Sequence, residues 1–400
     1  MRCPSACSYR LSWRTSSLLL CVLNNHIVSN GAPPSKPRSA RAYTPEFSIA
    51  RRVLTSRFGR TGLVGRGVDY LSFYLSAAWR LRRLVRPDDL VVAMTDPPLL
   101  SVLVRWALVG RRVTQVNWLQ DLFPEVASAL QLRLASGSFG RMLQRWRDVS
   151  LRAAALNVVI GERMAERVRE AGVTPERVRV IHNWADDEAI RPLSPAANPL
   201  RHEWGLTDAF VLGYSGNLGR AHDVATVLEA AEVLHADPGV DGQRVVLLFI
   251  GSGHQLLELR AESVRRGLDT VQFRPYQPRE RLSESLGVAD VHWISLRPAL
   301  EGLIVPSKFY GIAAAGRPVL FVGDHDGEIA RLLRTHDCGT AVAERDGQAF
   351  AAAVRRLRDD PGLRQRQGDN ARRLLEEGFK QRLALGAWGG IVRALSTGAQ

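Results

Sequence analysis

Four hundred residues are more than twice the usual domain of ~150, so two domains are expected, and 46% apolar with 24% charged residues excludes disorder, collagen-like repeats and a polytopic membrane protein. Fifty-four basic against 40 acidic residues leave +14, yet only Lys36, Lys308 and Lys380 are lysines. The arginines alternate with acids on amphipathic segments such as Gly161 to Glu170, and no stripe of basic and stacking aromatic residues forms, which argues against a nucleic-acid partner.

The chain opens with Cys3, Cys7 and Cys21, and Cys338 stands alone; no second pair completes a metal-ligand spacing, and a reducing cytosol fits this usage. Arg2, Arg10 and Arg14 precede the apolar run Leu18 to Leu23, which is short for an export signal and lacks a small-x-small cleavage site. From about residue 50, short apolar runs alternate with amphipathic stretches, the pattern of parallel sheets covered by helices. Strands are expected at Arg52 to Thr55, Leu90 to Met94, Val113 to Trp118, Leu156 to Ile160 and Val178 to Ile181. Helices are expected at Gly67 to Arg86, Leu99 to Leu108, Phe139 to Ala154 and Glu162 to Ala171. Asp96, Pro97 and Pro98 interrupt the longest apolar stretch, so no membrane-spanning segment is expected.

Asp186 to Trp204, with Pro192, Pro195 and Pro199, reads as the connection to a second domain. That domain repeats the theme with strands at Phe210 to Tyr214, Val245 to Ile250, Val271 to Phe273, Val291 to Ser295 and Pro318 to Val322. Leu363 to Leu395 is longer than the second sheet needs and is expected to cross back onto the first domain. The limits that follow are 1–48 (atypical), 49–190 (first domain), 191–204 (linker), 205–378 (second domain) and 379–400 (returning helix).

Three clusters carry possible chemistry. Tyr214 is followed by Ser215, Gly216, Asn217, Leu218, Gly219 and Arg220, then a helix expected to begin near His222 or Asp223. Glycines admit a ligand close to the backbone, and a helix N-terminus beside an arginine suits phosphate; the alternative is a plain strand-to-helix turn. Glu301 to Ser307 leads to Lys308 in the first turn of another helix. An ammonium there opposes the helix dipole unless an anion lies between them, while a chance surface lysine is the alternative. Beyond the strand ending at Trp118 come Gln120, Asp121 and Glu125, where open parallel sheets bind ligands; Asp121 and Glu125 suit sugar hydroxyls, or Asp121 caps the next helix. Gly251, Ser252 and Gly253 are only a fragment of a dinucleotide fingerprint. Asp324 and Asp326 have a metal-nucleotide spacing, but Asp324 also suits a helix cap, and no metal or other cofactor is expected.

With these clusters placed, the sequence resembles the retaining glycosyltransferases of family 4, in the branch of WbuB-type and colanic-acid-type transferases of bacterial surface polysaccharides. The resemblance rests on Trp118 to Glu125 (WLQDLFPE), Tyr214 to Arg220 (YSGNLGR), Ala289 to Leu296 (ADVHWISL) and Glu301 to Pro318 (EGLIVPSKFYGIAAAGRP), within about residues 50 to 395. It implies a GT-B fold, two Rossmann-like α/β domains facing across a cleft. A UDP- or GDP-linked sugar would lie on the second domain, its diphosphate met by Arg220 and Lys308, with Gly216, Asn217, Gly219 and Ser307 lining the donor site. Glu301 would contact the donor sugar, and a lipid-linked or saccharide acceptor would enter beside Gln120, Asp121 and Glu125. The sequence departs from the family in three ways: its second glutamate falls at Gly311, Glu301 is two residues out of register, and Gln120 replaces a common histidine.

The resemblance thus implies a transferase at the cytoplasmic face of the membrane, touching an anionic lipid surface. Two alternatives stand beside it: a nucleotide-sugar epimerase of the same architecture, and a degenerate, non-catalytic binding protein. Residues 1 to about 48 supply no strand, Gly-rich turn and helix of the kind that opens a doubly wound domain. They are therefore expected to be foreign to the fold and poorly ordered, as if one β-α-β unit had been lost to a misassigned start or a frameshift.

Overall fold

A computed structural model describes residues 21–23, 63–132, 137–237, 239 and 242–397. The strand expected at Arg52 to Thr55 and most of residues 1–48 lie outside these.

In the first domain the elements are β1 (Cys21–Leu23), α1 (Leu63–Leu84), β2 (Asp89–Met94), α2 (Leu100–Ala107), β3 (Val113–Leu119), α3 (Glu125–Ala129), α4 (Gly137–Ala153), β4 (Leu156–Val159), α5 (Glu162–Glu170) and β5 (Val178–Val180). They form one sheet in the order β1-β2-β3-β4-β5, parallel from β2 to β5. β1, from the apolar run Leu18 to Leu23, pairs antiparallel with β2, Val22 opposite Val91. Helices cover the sheet, so β2 and β4 are buried along their whole length, which is why they read as continuous apolar runs rather than alternating ones. On α1, Phe73, Ala77 and Leu81 recur every fourth residue and bury against Val91, Ala93, Leu100 and Val104.

The second domain contains α6 (Pro199–Glu203), β6 (Phe210–Asn217), α7 (Ala225–His235), β7 (Val245–Ser252), α8 (His254–Arg265), β8 (Val271–Arg274), α9 (Leu282–Gly287), β9 (Val291–Ser295), α10 (Lys308–Ala314), β10 (Val319–Val322), α11 (Glu328–His336), β11 (Gly339–Val342), α12 (Gly347–Asp359) and α13 (Pro361–Leu374). A π-helical turn (Leu375–Phe379) then leads into α14 (Gln381–Thr397). The connection is not featureless. Asn198 caps α6, and the Arg201 guanidinium forms a buried ion pair with Asp290 before β9, so α6 is already fixed to the second domain. The sheet order is β11-β10-β9-β6-β7-β8, all parallel. From β6 the chain winds outward to β8, then returns to the other side of β6 as β9. That reversal leaves a crevice at the carboxyl ends of β6 and β9, the place where doubly wound sheets receive ligands.

α14 and the segment before α10 both contribute to the junction between the domains. α14 returns to the first sheet: Ala384 and Trp388 pack with Leu90, Val116 and Val158, and the rings of Trp118 and Trp388 are 4.9 Å apart. The segment before α10 meets the first domain directly. Leu122 donates its backbone N–H to the Leu303 carbonyl at 2.9 Å, Asp121 and Ile304 form an antiparallel bridge, and Leu119, Leu122 and Met164 share a core with Leu300 and Leu303.

Candidate active site

β6 runs three residues past its expected end, through Asn217, because β7 continues beside it as far as Ser252. The two strand ends approach so closely that side chains are excluded. A Cβ on Gly251 would lie 2.2 Å from the Gly216 carbonyl oxygen, and one on Gly253 2.4 Å from that of Leu218. Gly251-Ser252-Gly253 therefore shapes the neighbouring Gly216 to Gly219 loop, a role that spacing alone did not reveal.

Gly216, at φ 137°, leaves room for Lys308: a Cβ there would sit 2.6 Å from the lysine Cε. The lysine is thus threaded from the start of α10 under the β6 loop, and its ammonium ends 5.3 Å from the Tyr214 ring centroid and 3.2 Å from His222 Nε2. His222 Nδ1 lies 2.8 Å from the Ser295 carbonyl. A carbonyl only accepts, so Nδ1 carries the proton and Nε2 offers its lone pair to the ammonium. Burial, reinforced by the Lys308 charge, pushes the imidazole down to about 3, so it stays neutral. Burial also pushes Lys308 down to about 8, and no carboxylate pairs with it among the described residues. A half-desolvated cation with only neutral neighbours is a site prepared for an anion.

The exposed Arg220 follows on the same loop and has no ion-pair partner among the described residues. Asn217 is exposed, Gly219 half-buried, and Ser307 exposed at the start of α10. The helix after the loop corrects one expectation. α7 begins at Ala225, not at His222 or Asp223, and the Asp223 carboxylate already accepts from the amides of Ala225 and Thr226. That terminus is occupied, and the cations remain.

Glu301 sits at the domain junction. It is buried, its Oε1 accepts the backbone N–H of Glu328 at 2.8 Å, and burial raises its carboxyl above the usual range. Glu328 in turn accepts the Arg163 amide at the start of α5 (3.0 Å), so two glutamates cap two helices in series across the domains. The expected cap by Asp324 is therefore corrected: Glu301 serves α11, while Asp324 accepts from Asp326 N–H within its own turn. Asp326 pairs with Arg331 (2.7 Å) and Arg163 (3.1 Å), and Arg331 holds its carboxyl below the usual range. Among the described residues no group of three or more His, Cys, Asp or Glu is placed to hold a metal ion.

On the facing wall, Gln120 donates its backbone N–H to Thr95 Oγ1 (3.0 Å) and its side-chain amide nitrogen is buried without a partner. Asp121 caps no helix; α3 starts at Glu125 with Pro124 before it. Burial pushes the Asp121 carboxyl up to about 6, partly offset by Thr95, and its Oδ1 has no partner. Glu125 pairs with the buried Arg147 through one oxygen and leaves the other, Oε2, buried and unpartnered. Thus Gln120 and Asp121 present unsatisfied polar atoms beside the junction, and Arg147 ties Glu125 into the scaffold. Thr95 and His222 were not apparent in the sequence as site residues, although His222 stands only two positions after Arg220.

Gly311 is half-buried on α10, and a Cβ there would meet only Leu286 Cδ1 at 3.5 Å, an ordinary contact. Replacing an interior helical glycine by alanine gains about 1 kcal/mol, so Gly311→Ala is expected to raise the thermal midpoint; an unchanged or lower midpoint would contradict the space described.

Comparison with known proteins agrees with this geometry. Residues 26–189 match the Glycosyltransferase Family 4 model, and residues 199–374 match Glycosyl transferases group 1. The chain is 26% identical to the probable glycosyltransferase WbjE of Pseudomonas aeruginosa, covering 85% of this chain and 83% of that protein. It is also 26% identical to the putative colanic acid biosynthesis glycosyl transferase WcaI of Escherichia coli, over 58% of this chain and 57% of the relative. Among solved structures, sucrose-phosphate synthase of Thermosynechococcus elongatus superposes with a TM-score of 0.70 at 18% identity, covering 91% of this chain and 87% of the other. HepE of Anabaena, in complex with UDP-glucose, superposes at 0.65 and 16% identity, covering 84% of each. The two matched regions thus fall on the two Rossmann-like domains seen here, and the chain is a glycosyltransferase of the GT-B fold, built from a family 4 domain and a group 1 domain.

Proposed function

We propose that the protein transfers a sugar from a UDP- or GDP-linked donor to a lipid-linked or saccharide acceptor in surface polysaccharide synthesis, with retention at the anomeric carbon. The observation that carries this reading is Lys308, a half-buried cation with no carboxylate partner among the described residues, held at the topological switch point beside the exposed Arg220. Two such cations stabilise the charge that grows on a departing diphosphate, so they suit a reaction whose main demand is leaving-group stabilisation. The HepE complexes contain UDP and UDP-glucose, which supports a nucleotide-sugar donor. The likeness to WcaI, a putative colanic acid biosynthesis transferase, supports the polysaccharide setting, and both matched models describe glycosyltransferases, which favours transfer over epimerisation.

In the front-face route the leaving diphosphate oxygen takes the acceptor proton as the acceptor oxygen attacks from the same side. No protein nucleophile is needed, and the chain's work is positioning and electrostatics. Asp121, whose Oδ1 is buried and has no hydrogen-bond partner, is the acceptor-side group that suits the orientation of a hydroxyl. Screening UDP- and GDP-sugars by thermal shift tests the reading, because a ligand of the folded state raises its midpoint. A donor that stabilises the wild type but neither Lys308→Ala nor Arg220→Ala supports it; equal stabilisation of all three contradicts the diphosphate assignment. Activity is also expected to survive EDTA, since cations of the chain take the role of a metal. Loss of activity on chelation with recovery in Mg²⁺ or Mn²⁺ would reverse that expectation.

A further inference from the structure

The second domain holds a cavity at the end of its sheet away from the donor loop. β9 and β10 run parallel, and the residues just before them, Asp290 and Pro318, line a space of about 170 Å³ together with Pro195, Arg317 and, from the first turn of α13, Arg364. One liquid water takes up ~30 Å³, so this space admits a phosphate group with waters beside it. Asp290 stands at the amino end of β9, whereas Ser295, whose carbonyl receives His222, closes the carboxyl end. Five residues at ~3.3 Å each set the two ends roughly 16 Å apart, so the cavity is distinct from the crevice beside Lys308. It touches the connection between the domains through Pro195, and it lies where the chain leaves α10, the helix that Lys308 opens.

Charge sets what the cavity can take. Asp290 Oδ1 and Oδ2 accept from the buried Arg201 at 3.1 and 3.0 Å, and Oδ2 also accepts the Val211 amide, so that carboxylate is neutralised. Arg317 and Arg364 are not. Arg317 donates through Nη2 to the carbonyls of Leu193 and Gly287 (2.6 and 2.8 Å), and its Nε is buried with no partner. Arg364 donates through Nη1 to the carbonyls of Leu357 and Arg358 (2.7 and 3.2 Å). Asp360, at the start of α13, is engaged by the Leu363 amide at 2.8 Å. Carbonyls supply no charge, and neither arginine has an ion-pair partner among the described residues. Burial lowers the Arg317 guanidinium below the ordinary arginine range, with Asp290 offsetting this and the charges of Arg201 and Arg364 adding to it. Two like charges are thus held around one space with neither compensated, an arrangement that a dianion relieves. Guanidinium forks match phosphate oxygens in geometry as well as in charge.

We infer that this cavity binds a small phosphate dianion, either inorganic phosphate or a phosphate monoester, between Arg317 and Arg364. The site does not depend on the proposed function. The test is thermal shift and calorimetric titration of the full chain with inorganic phosphate, against chloride at matched ionic strength. Phosphate is expected to raise the midpoint of the wild type, and also that of Lys308→Ala combined with Arg220→Ala, in which the donor-side cations are gone. Adding Arg364→Gln or Arg317→Gln to that combination is expected to weaken phosphate binding roughly tenfold or more. Arg317 also holds two carbonyls, so if Arg317→Gln unfolds the protein, Arg364→Gln decides. Glycerol phosphate in a parallel titration separates the two sources: tighter binding than inorganic phosphate assigns the site to a monoester, weaker binding to the free ion. No effect of phosphate beyond that of chloride overturns the proposal. So does undiminished binding after Arg364→Gln, or binding that vanishes with Lys308 and Arg220. Failure of every nucleotide sugar to stabilise the wild type would instead count against the donor-site reading and leave this site standing.

Discussion

Lys308→Ala is expected to lower turnover roughly 10²-fold or more, the scale of losing one preorganised charge on a developing anion. The loss should appear in kcat as well as in kcat/KM, because leaving-group charge is greater in the transition state than in the bound donor. Lys308→Arg should not restore activity, since the slot under Gly216 fits a thin methylene chain: the lysine Cε lies 2.6 Å from where a Cβ of residue 216 would stand. The fold should survive Lys308→Ala, because burial alone depresses the lysine to about 8 and its removal relieves that cost. The pH dependence follows from the same displacement. In the free protein the folded state disfavours charged Lys308, so the penalty is present below about 8 and fades as pH rises from there toward the ordinary lysine range. A bound diphosphate favours the charged form and shifts the group back upward, so donor affinity should fall as pH climbs through about 8. Steady-state kinetics of both variants across that range checks the whole prediction, and a wild-type kcat in Lys308→Ala would remove the lysine from the mechanism.

Gly253→Ala is expected to destabilise the protein by about 3 kcal/mol, combining overpacking with an unfavourable backbone conformation. Its φ is 148°, and the added Cβ would lie 2.4 Å from the Leu218 carbonyl oxygen and 2.5 Å from the Leu218 nitrogen. Both are backbone atoms, so no rotamer change relieves the clash, and the loop bearing Arg220 must shift. Thermal denaturation should therefore show a lower midpoint together with a raised KM for the donor. Gly267→Asn is the control: it too has a positive φ, 68°, but nothing lies within 4 Å, and asparagine tolerates that conformation. Equal effects of the two changes would mean that crowding at residue 253 is not what matters.

The parallel sheets were legible because buried strands such as Leu90 to Met94 and Val291 to Ser295 are unbroken apolar runs between Gly, Pro and charged residues. β11 was not foreseen: Gly339–Val342 is a four-residue edge strand, mostly half-buried, with no apolar run to mark it. The cluster around Lys308 stood out through composition, one of three lysines in a chain that otherwise writes arginine. Its partner His222 did not, because the contact depends on β6 and β9 becoming neighbours, and that long-range pairing leaves no local pattern. Glu301 shows the reverse limit. Its place before Pro306 drew attention to it, but only the fold reveals that its Oε1 caps α11.

Calorimetric titration of UDP and GDP into the wild type and Lys308→Ala, at pH near 8 in two buffers of different ionisation enthalpy, tests most directly whether this lysine is the diphosphate clamp. If Lys308 clamps the diphosphate, at least one nucleotide binds the wild type with proton uptake, and Lys308→Ala binds it more weakly with no such uptake. Equal affinity and equal proton exchange in the two proteins would contradict it.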